Sequence, residues 1–295
     1  MYGGIYHLAE IEDEKHSKNQ AAKVSNSILA LKLRKYFAEE FNPDIIICTH
    51  VLSAQIINVM KEKGQLNSYT IGIITDYTIH PYWRKLDYLD DFVIASELLI
   101  HQAITKGIPR DKLLPFGIPI HPKFLHAIDK KEARLSIGVD PNSFTVLLMS
   151  GSMGYGNIVR IIKKLDNVSR DFQIIAVCGN NKRAKRNLES MQTKKRLRIY
   201  GFVENVEVLM SAADCIITKP GGLTTSEALA KNLPMIMVNP IPGQEERNVE
   251  FLLNNGLAMK VSPTYPIDEA VYQLFFYPEK LKNMHRDRKS TRLNS

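Results

Sequence analysis

Along the chain, short runs of β-branched and other apolar residues alternate with segments in which apolar positions recur every three or four residues. In the first half, DIIICTH (44–50), YTIGIITDY (69–77), DDFVIAS (90–96) and KLLPFGIPI (112–120) predict strands. SAQIINVMKEKG (53–64) and SELLIHQAITKG (96–107) carry helical spacing and each closes on a glycine, the residue favoured just past a helix end. The second half repeats the rhythm with strands SFTVLLMS (143–150), DFQIIAVCG (171–179), RLRIYGFV (196–203), ADCIITKP (213–220) and LPMIMVNP (233–240). Helical spacing fills the gaps at 157–165, 181–191, 205–213, 224–232 and 244–256. Strand and helix in strict alternation predict an α/β protein with parallel sheets.

The segment 120–143 is charged, contains Pro122 and Pro141, and separates the two repeats, so the interdomain connection is placed there. The expected domains are 1–130 and 131–285, with RDRKSTRLNS (286–295) as an unstructured tail. The five strands of the second repeat read as a complete doubly wound domain. Residues 1–40 offer helical material but no strand followed by a glycine-rich turn, so the first domain is expected to lack its first βα units. No last helix returning to the first domain is read at the other end. Two Rossmann-like domains facing across a cleft follow, with ligands expected beyond the carboxyl ends of the strands.

Composition narrows the classes. The 295 residues suffice for two domains, and no apolar run reaches the roughly eighteen residues of a membrane-spanning helix. Cys48, Cys178 and Cys215 lie singly in apolar runs without metal-ligand spacing, as reduced thiols of a cytosolic protein would. The net charge of +8 comes from residues 144–295, much of it from NKRAKRNLESMQTKKRLR (181–198). That run is either a solvated helix face or a surface for an acidic substrate or anionic lipid. It lacks interleaved aromatics and any zinc-finger or helix-turn-helix pattern, which argues against nucleic acid.

Three strand ends in the second half carry chemistry. In KPGGLTTSEALA (219–230) a strand runs into Pro220-Gly221-Gly222, and Thr224, Thr225 or Ser226 is placed to cap the next helix. Bare glycine backbone at a helix N-terminus suits a phosphate. Glu227, expected within about the first turn, is placed to accept hydrogen bonds from vicinal sugar hydroxyls; a capping box that merely starts a helix is the plainer alternative. SGSMGYGN (150–157) makes a second glycine-rich turn. Its glycines fit neither GxGxxG nor GxxxxGK[ST], which disfavours nicotinamide oxidoreductases and P-loop hydrolases. NPIPGQEERN (239–248) brings Gln244, Glu245 and Asn248 to a third strand end, as polar partners for sugar hydroxyls or simply as helix caps.

The stretch KPGGLTTSEALAKNLPMIMVNPIPGQEERN closely resembles the donor-binding region of glycosyltransferase family 28, in its glycerolipid branch: bacterial processive diacylglycerol glucosyltransferases and plant monogalactosyldiacylglycerol synthases. PDIIICTH (43–50), IITDYTIHPYW (73–83), FGIPIHPKF (116–124), LLMSGSMGYGN (147–157) and YGFVENVEVLMSAAD (200–214) extend the resemblance over most of the chain. It implies a GT-B fold whose second domain holds a UDP-sugar. Ser152, Met153, Gly154, Gly222, Thr224 and Thr225 would then lie near the diphosphate, and backbone near Phe202 and Val203 at the uracil. Glu227 would take the ribose hydroxyls, and Gln244 with Glu245 the donor sugar. Phe202 enters by resemblance alone; unaided it reads as core.

Transfer needs a base for the acceptor hydroxyl and help for the departing UDP. Asp76 and His80, four apart in ITDYTIHPYW just past a strand end, are the candidate catalytic pair, with the base left open between them; His50 is a further candidate. No carboxylate or histidine cluster suggests a metal, so no cofactor beyond the UDP-sugar is expected, and helix N-termini would stabilise the leaving group. Tyr82 and Trp83 beside Arg84 and Lys85 fit either a bilayer interface or a buried aromatic pair.

The resemblance implies hexose transfer from UDP-glucose or UDP-galactose to diacylglycerol or glycosyl-diacylglycerol with inversion, by a cytoplasmic protein at the anionic inner face of the cell membrane. The rivals are N-acetylglucosamine transfer to a lipid-linked peptidoglycan precursor, a UDP-sugar epimerase, and a non-catalytic UDP-sugar-binding module. The family's glycine-rich, histidine-containing opening loop has no counterpart in MYGGIYHLAEIEDEKHSKNQ, so an N-terminally truncated member is expected.

Overall fold

The computed structural model describes residues 36–149 and 158–281, together with Leu33, Asn283 and Met284. The chain divides into two compact units at Pro119 and Ile120, and Pro242–Arg247 groups with the first.

The first unit holds four parallel strands in the order β1-β2-β3-β4: Ile45–Cys48, Tyr69–Ile73, Asp91–Val93 and Leu113–Leu114. Helix α1 (Val51–Glu62) and helix α2 (Ile100–Thr105) cover them. Each predicted strand is present but shorter, because its carboxyl end turns into loop. On β2, Gly72 admits the indole of Trp83: a Cβ there would stand 2.8 Å from Trp83 Cζ3. Trp83 is buried and meets Phe92 edge-on. The aromatic pair at 82–83 is therefore core packing where Trp83 is concerned, and its indole is no bilayer anchor.

Below β2, the Asp90 carboxylate accepts from Thr70 N at 2.7 Å, Thr70 Oγ1 at 2.8 Å and Lys61 Nζ. Burial opposes its charge, but the bonds from Lys61 and Thr70 win and hold the carboxyl below the usual range. The polar knot ties α1, β2 and the start of β3 together.

The second unit has six parallel strands in the order β10-β9-β8-β5-β6-β7: β5 Thr145–Met149, β6 Gln173–Val177, β7 Arg196–Tyr200, β8 Cys215–Thr218, β9 Met235–Met237 and β10 Ala258–Lys260. Its helices are α3 (Lys130–Ser136), α4 (Ile158–Leu165), α5 (Lys182–Glu189), α6 (Val206–Ala212), α7 (Gly222–Ala230), α8 (Gln244–Asn254) and α9 (Ile267–Phe276). Every residue of β5, β6, β8 and β9 is buried, the expected consequence of helices on both faces of a parallel sheet. The strand order is that of a Rossmann sheet, and the order reverses between β5 and β8.

Two features correct the sequence reading. The sheet has a sixth strand, β10, whose three residues are too few to show a period. Helix α9, a segment the sequence reading did not assign to a helix, packs within the second unit, where its Ile267, Ala270, Val271 and Leu274 join α4's Ile158, Ile161, Ile162 and Leu165 in the core. Phe275 closes that seam against Phe144 and Phe172, with ring centroids 4.5 and 5.4 Å away. The proposed tail at 286–295 lies outside the described residues.

Candidate active site

In the second unit the strand order reverses between β5 and β8, and the chain leaves the carboxyl ends of these two strands in two segments that the sequence singled out. Ser152, Met153 and Gly154 belong to the first of these and lie outside the described residues. The second, Lys219-Pro220-Gly221, leads into α7. Gly221 is the N-cap in extended conformation, with no side chain capping the helix. The helix therefore begins before the hydroxyl residues, and the expected cap by Thr224, Thr225 or Ser226 does not form. Ser226 Oγ donates back to Gly222 O at 2.8 Å, Thr224 is half-buried, and Thr225 is fully buried, its Oγ1 without a hydrogen-bond partner among the described residues. The early start also moves Glu227 to the sixth helical residue, in the second turn instead of the first.

Glu227 is half-buried, and among the described residues nothing hydrogen-bonds or ion-pairs with its carboxylate. Burial pushes its carboxyl up to about 7, against the opposing pull of Lys123, with the negative charge of Glu207 adding to the rise. Lys123 ion-pairs with Glu207 at 2.9 Å and donates to the carbonyl of Glu204. It thus ties the turn at Pro122–Phe124 to the segment after β7, where Phe202 and Val203 lie. Lys231 Nζ donates to His126 O at 2.7 Å and clasps the same turn to the end of α7. Phe202 is 61% exposed, so it is not the core residue that its apolarity suggests; Val203 is half-buried.

Asn248 differs most from expectation. It is fully buried, and its Nδ2 donates to the carbonyl of Pro220 at 2.9 Å. That bond joins α8 to the glycine turn, and the side chain is closed off from solvent. Two residues earlier on the same helix, Glu246 accepts from Gly243 N at 3.0 Å and closes the helix start.

In the first unit, Asp76 and His80 follow β2. The loop is held by Gln102 Oε1, which accepts from Ile79 N at 2.7 Å, by Lys106 Nζ donating to Ile79 O, and by Arg84 Nε donating to Lys106 O. His80 caps a single 3₁₀ turn (Pro81–Trp83), its Nδ1 accepting from Tyr82 N at 3.0 Å. A neutral imidazole whose Nδ1 accepts carries its proton on Nε2, so the second nitrogen is a donor. His50 is used the same way, with Nδ1 accepting from Leu52 N at the start of α1. Asp76 is half-buried, and its Oδ2 accepts from Gln244 Nε2 at 2.7 Å within the group of residues that includes 242–247. Gln244 is exposed and Glu245 half-buried beside it.

Comparison with known proteins identifies the family. The family model for monogalactosyldiacylglycerol (MGDG) synthase matches residues 1–120, and that for the glycosyltransferase family 28 C-terminal domain matches residues 145–294. The processive diacylglycerol beta-glucosyltransferase of Bacillus pumilus is 30% identical over 254 residues, covering 85% of this chain and 66% of that protein. The chloroplastic monogalactosyldiacylglycerol synthase of Spinacia oleracea is 32% identical over 248 residues, covering 80% of this chain and 47% of its own. The chain therefore spans less than two thirds of the length of these relatives. Among solved structures, Acinetobacter baumannii MurG superposes with a TM-score of 0.62 at 15% identity, covering 89% of this chain and 72% of that one. At that identity the likeness shows the fold, which is GT-B with two Rossmann-like units.

Proposed function

The chain belongs to glycosyltransferase family 28, and from that premise we propose that it transfers a hexose from a UDP-sugar to diacylglycerol or a glycosyl-diacylglycerol with inversion. The observation that carries the reading is Glu227, a half-buried carboxyl without a hydrogen-bond or ion-pair partner among the described residues, one turn behind a bare glycine helix start. A nucleoside diphosphate supplies what both features lack: phosphate oxygens for the first amides of α7 and vicinal ribose hydroxyls for the carboxylate.

In this scheme Gly222 and Thr224 hold the diphosphate with the segment containing Ser152, Met153 and Gly154, while Thr225, buried with its N–H bonded to Gly221 O, supports the turn from behind. Phe202 and Val203 adjoin the uracil, and Gln244 with Glu245 contact the donor hexose. Asp76 is the base, because His80 presents an N–H and Asp76 a lone pair. Asp76 takes the proton from the acceptor hydroxyl as its oxygen attacks the anomeric carbon. The new C–O bond forms on the face opposite the UDP, and the old one breaks with its electron pair leaving on the β-phosphate oxygen. Helix α7 stabilises that developing charge. His80 Nε2–H donates to an oxygen of the reacting sugars.

No helix among the described residues is long and apolar enough to cross a membrane. A lipid acceptor then requires peripheral attachment, and the excess positive charge suits an anionic inner membrane face reached from the cytoplasm.

Calorimetric titration with UDP, UDP-glucose and UDP-galactose, followed by transfer of labelled hexose to diacylglycerol in liposomes, tests the whole reading. Binding with lipid labelling is expected. Binding with release of free sugar and no lipid product would make it an epimerase, binding without turnover would make it a binding module, and no binding at all would remove the donor site.

A further inference from the structure

We propose that Asn248 is a positioning residue for the donor diphosphate, acting through the Pro220–Gly221 peptide and not by touching the ligand; this rests on the donor-site reading above. The Asn248 side chain is fully buried, with Nδ2 2.9 Å from Pro220 O. A peptide unit is planar, and in its trans form the carbonyl and the following N–H point in opposite directions. Holding Pro220 C=O toward α8 therefore turns the Gly221 N–H the other way, out of the packed side of the turn. Among the described residues no acceptor takes that N–H. Gly221 is also the N-cap of α7, so its amide lies beside the first free amides of the helix.

The peptide has no side-chain anchor of its own. Gly221 has no side chain, and Pro220 has no N–H with which to anchor itself. The bond also links two parts of the donor site. Asn248 lies one helical turn after Gln244 on α8, so the helix that carries the sugar-side residues sets the orientation of the phosphate-side amide.

The role is specific to phosphate, which gives the test its readout. Affinities for UDP and for uridine are compared in wild type, Asn248→Ala, the isosteric Asn248→Asp and the buried control Leu252→Ala. Both Asn248 variants are expected to lose about tenfold or more in UDP affinity, the effect of one misdirected hydrogen-bond donor to a charged group, while uridine affinity holds. Leu252→Ala is expected to lower the melting temperature without changing the UDP-to-uridine ratio.

In the wild type, the Gly221 amide resonance is expected to shift with UDP and to stay in place with uridine. This measurement decides the matter if the variants do not fold. Equal losses of UDP and uridine, an unchanged UDP affinity in folded variants, or a Gly221 amide indifferent to UDP would overturn the positioning role while leaving the donor site intact. A wild type that binds neither ligand would instead sink the donor reading itself.

Discussion

At the scale of single residues, what a side chain does here follows from which of its atoms are already engaged. Glu227 has a raised carboxyl because burial strips its water and no hydrogen bond among the described residues replaces it. The sign is opposite to that of a salt-bridged acid: the folded chain prefers the protonated form. Its contribution to stability is present below the ordinary value of 4.5 and is lost as pH rises through about 7. Ribose hydroxyls need the charged form, so UDP-glucose affinity should fall as pH drops below about 7, by up to about tenfold per unit, and level off above it. UDP-glucose is the ligand of choice because its diphosphate diester does not titrate in that range. Glu227→Gln should flatten the profile, and Glu227→Ala should weaken binding by about 1.5–3 kcal/mol; a wild-type profile in Glu227→Gln would remove the ribose role. Asp76→Asn should lower turnover by roughly 100-fold or more with UDP affinity unchanged, as expected for loss of a general base. His80→Ala should lower turnover less, and a larger loss there than in Asp76→Asn would reverse the assignment.

At the scale of elements, local spacing announced most of the strands and helices, because parallel strands buried on both faces are nearly continuous apolar runs. It missed β10 and α9, whose membership depends on what they pack against. Trp83 shows the same limit: its aromatic and basic neighbours in sequence fit a bilayer surface equally well, and only the gap over Gly72 makes it core. Gly72→Ala should therefore destabilise the first unit by about 1–3 kcal/mol, the usual cost of overpacking. Trp83 is the only tryptophan, so its emission should shift to the red as that packing loosens. An unshifted spectrum and melting temperature would show that the indole moves aside freely.

At the scale of the whole molecule, a chain of net charge +8 with a proposed lipid acceptor should bind vesicles containing anionic lipid and release them as salt rises, since exposed charges are screened beyond about 10 Å at 0.1 M. Cosedimentation with anionic and with neutral vesicles checks this, and equal binding to both would remove the electrostatic attachment. The sequence by itself determined the fold class, the two repeated units, the glycine turn before α7 and the acid that follows it. These rest on residue types with local meaning: glycine for close backbone approach, apolar periodicity for strand or helix, proline for a stop. Only the tertiary structure decided that Asn248 turns inward to Pro220, that Thr225 is sealed in the core, that Phe202 stands in solvent and that His80 Nδ1 is taken up by the Tyr82 N–H. The first three of those outcomes depend on a partner distant in sequence or on which side of an element faces the core. Burial and hydrogen-bond pairing are properties of the packed chain, and no window along it contains them.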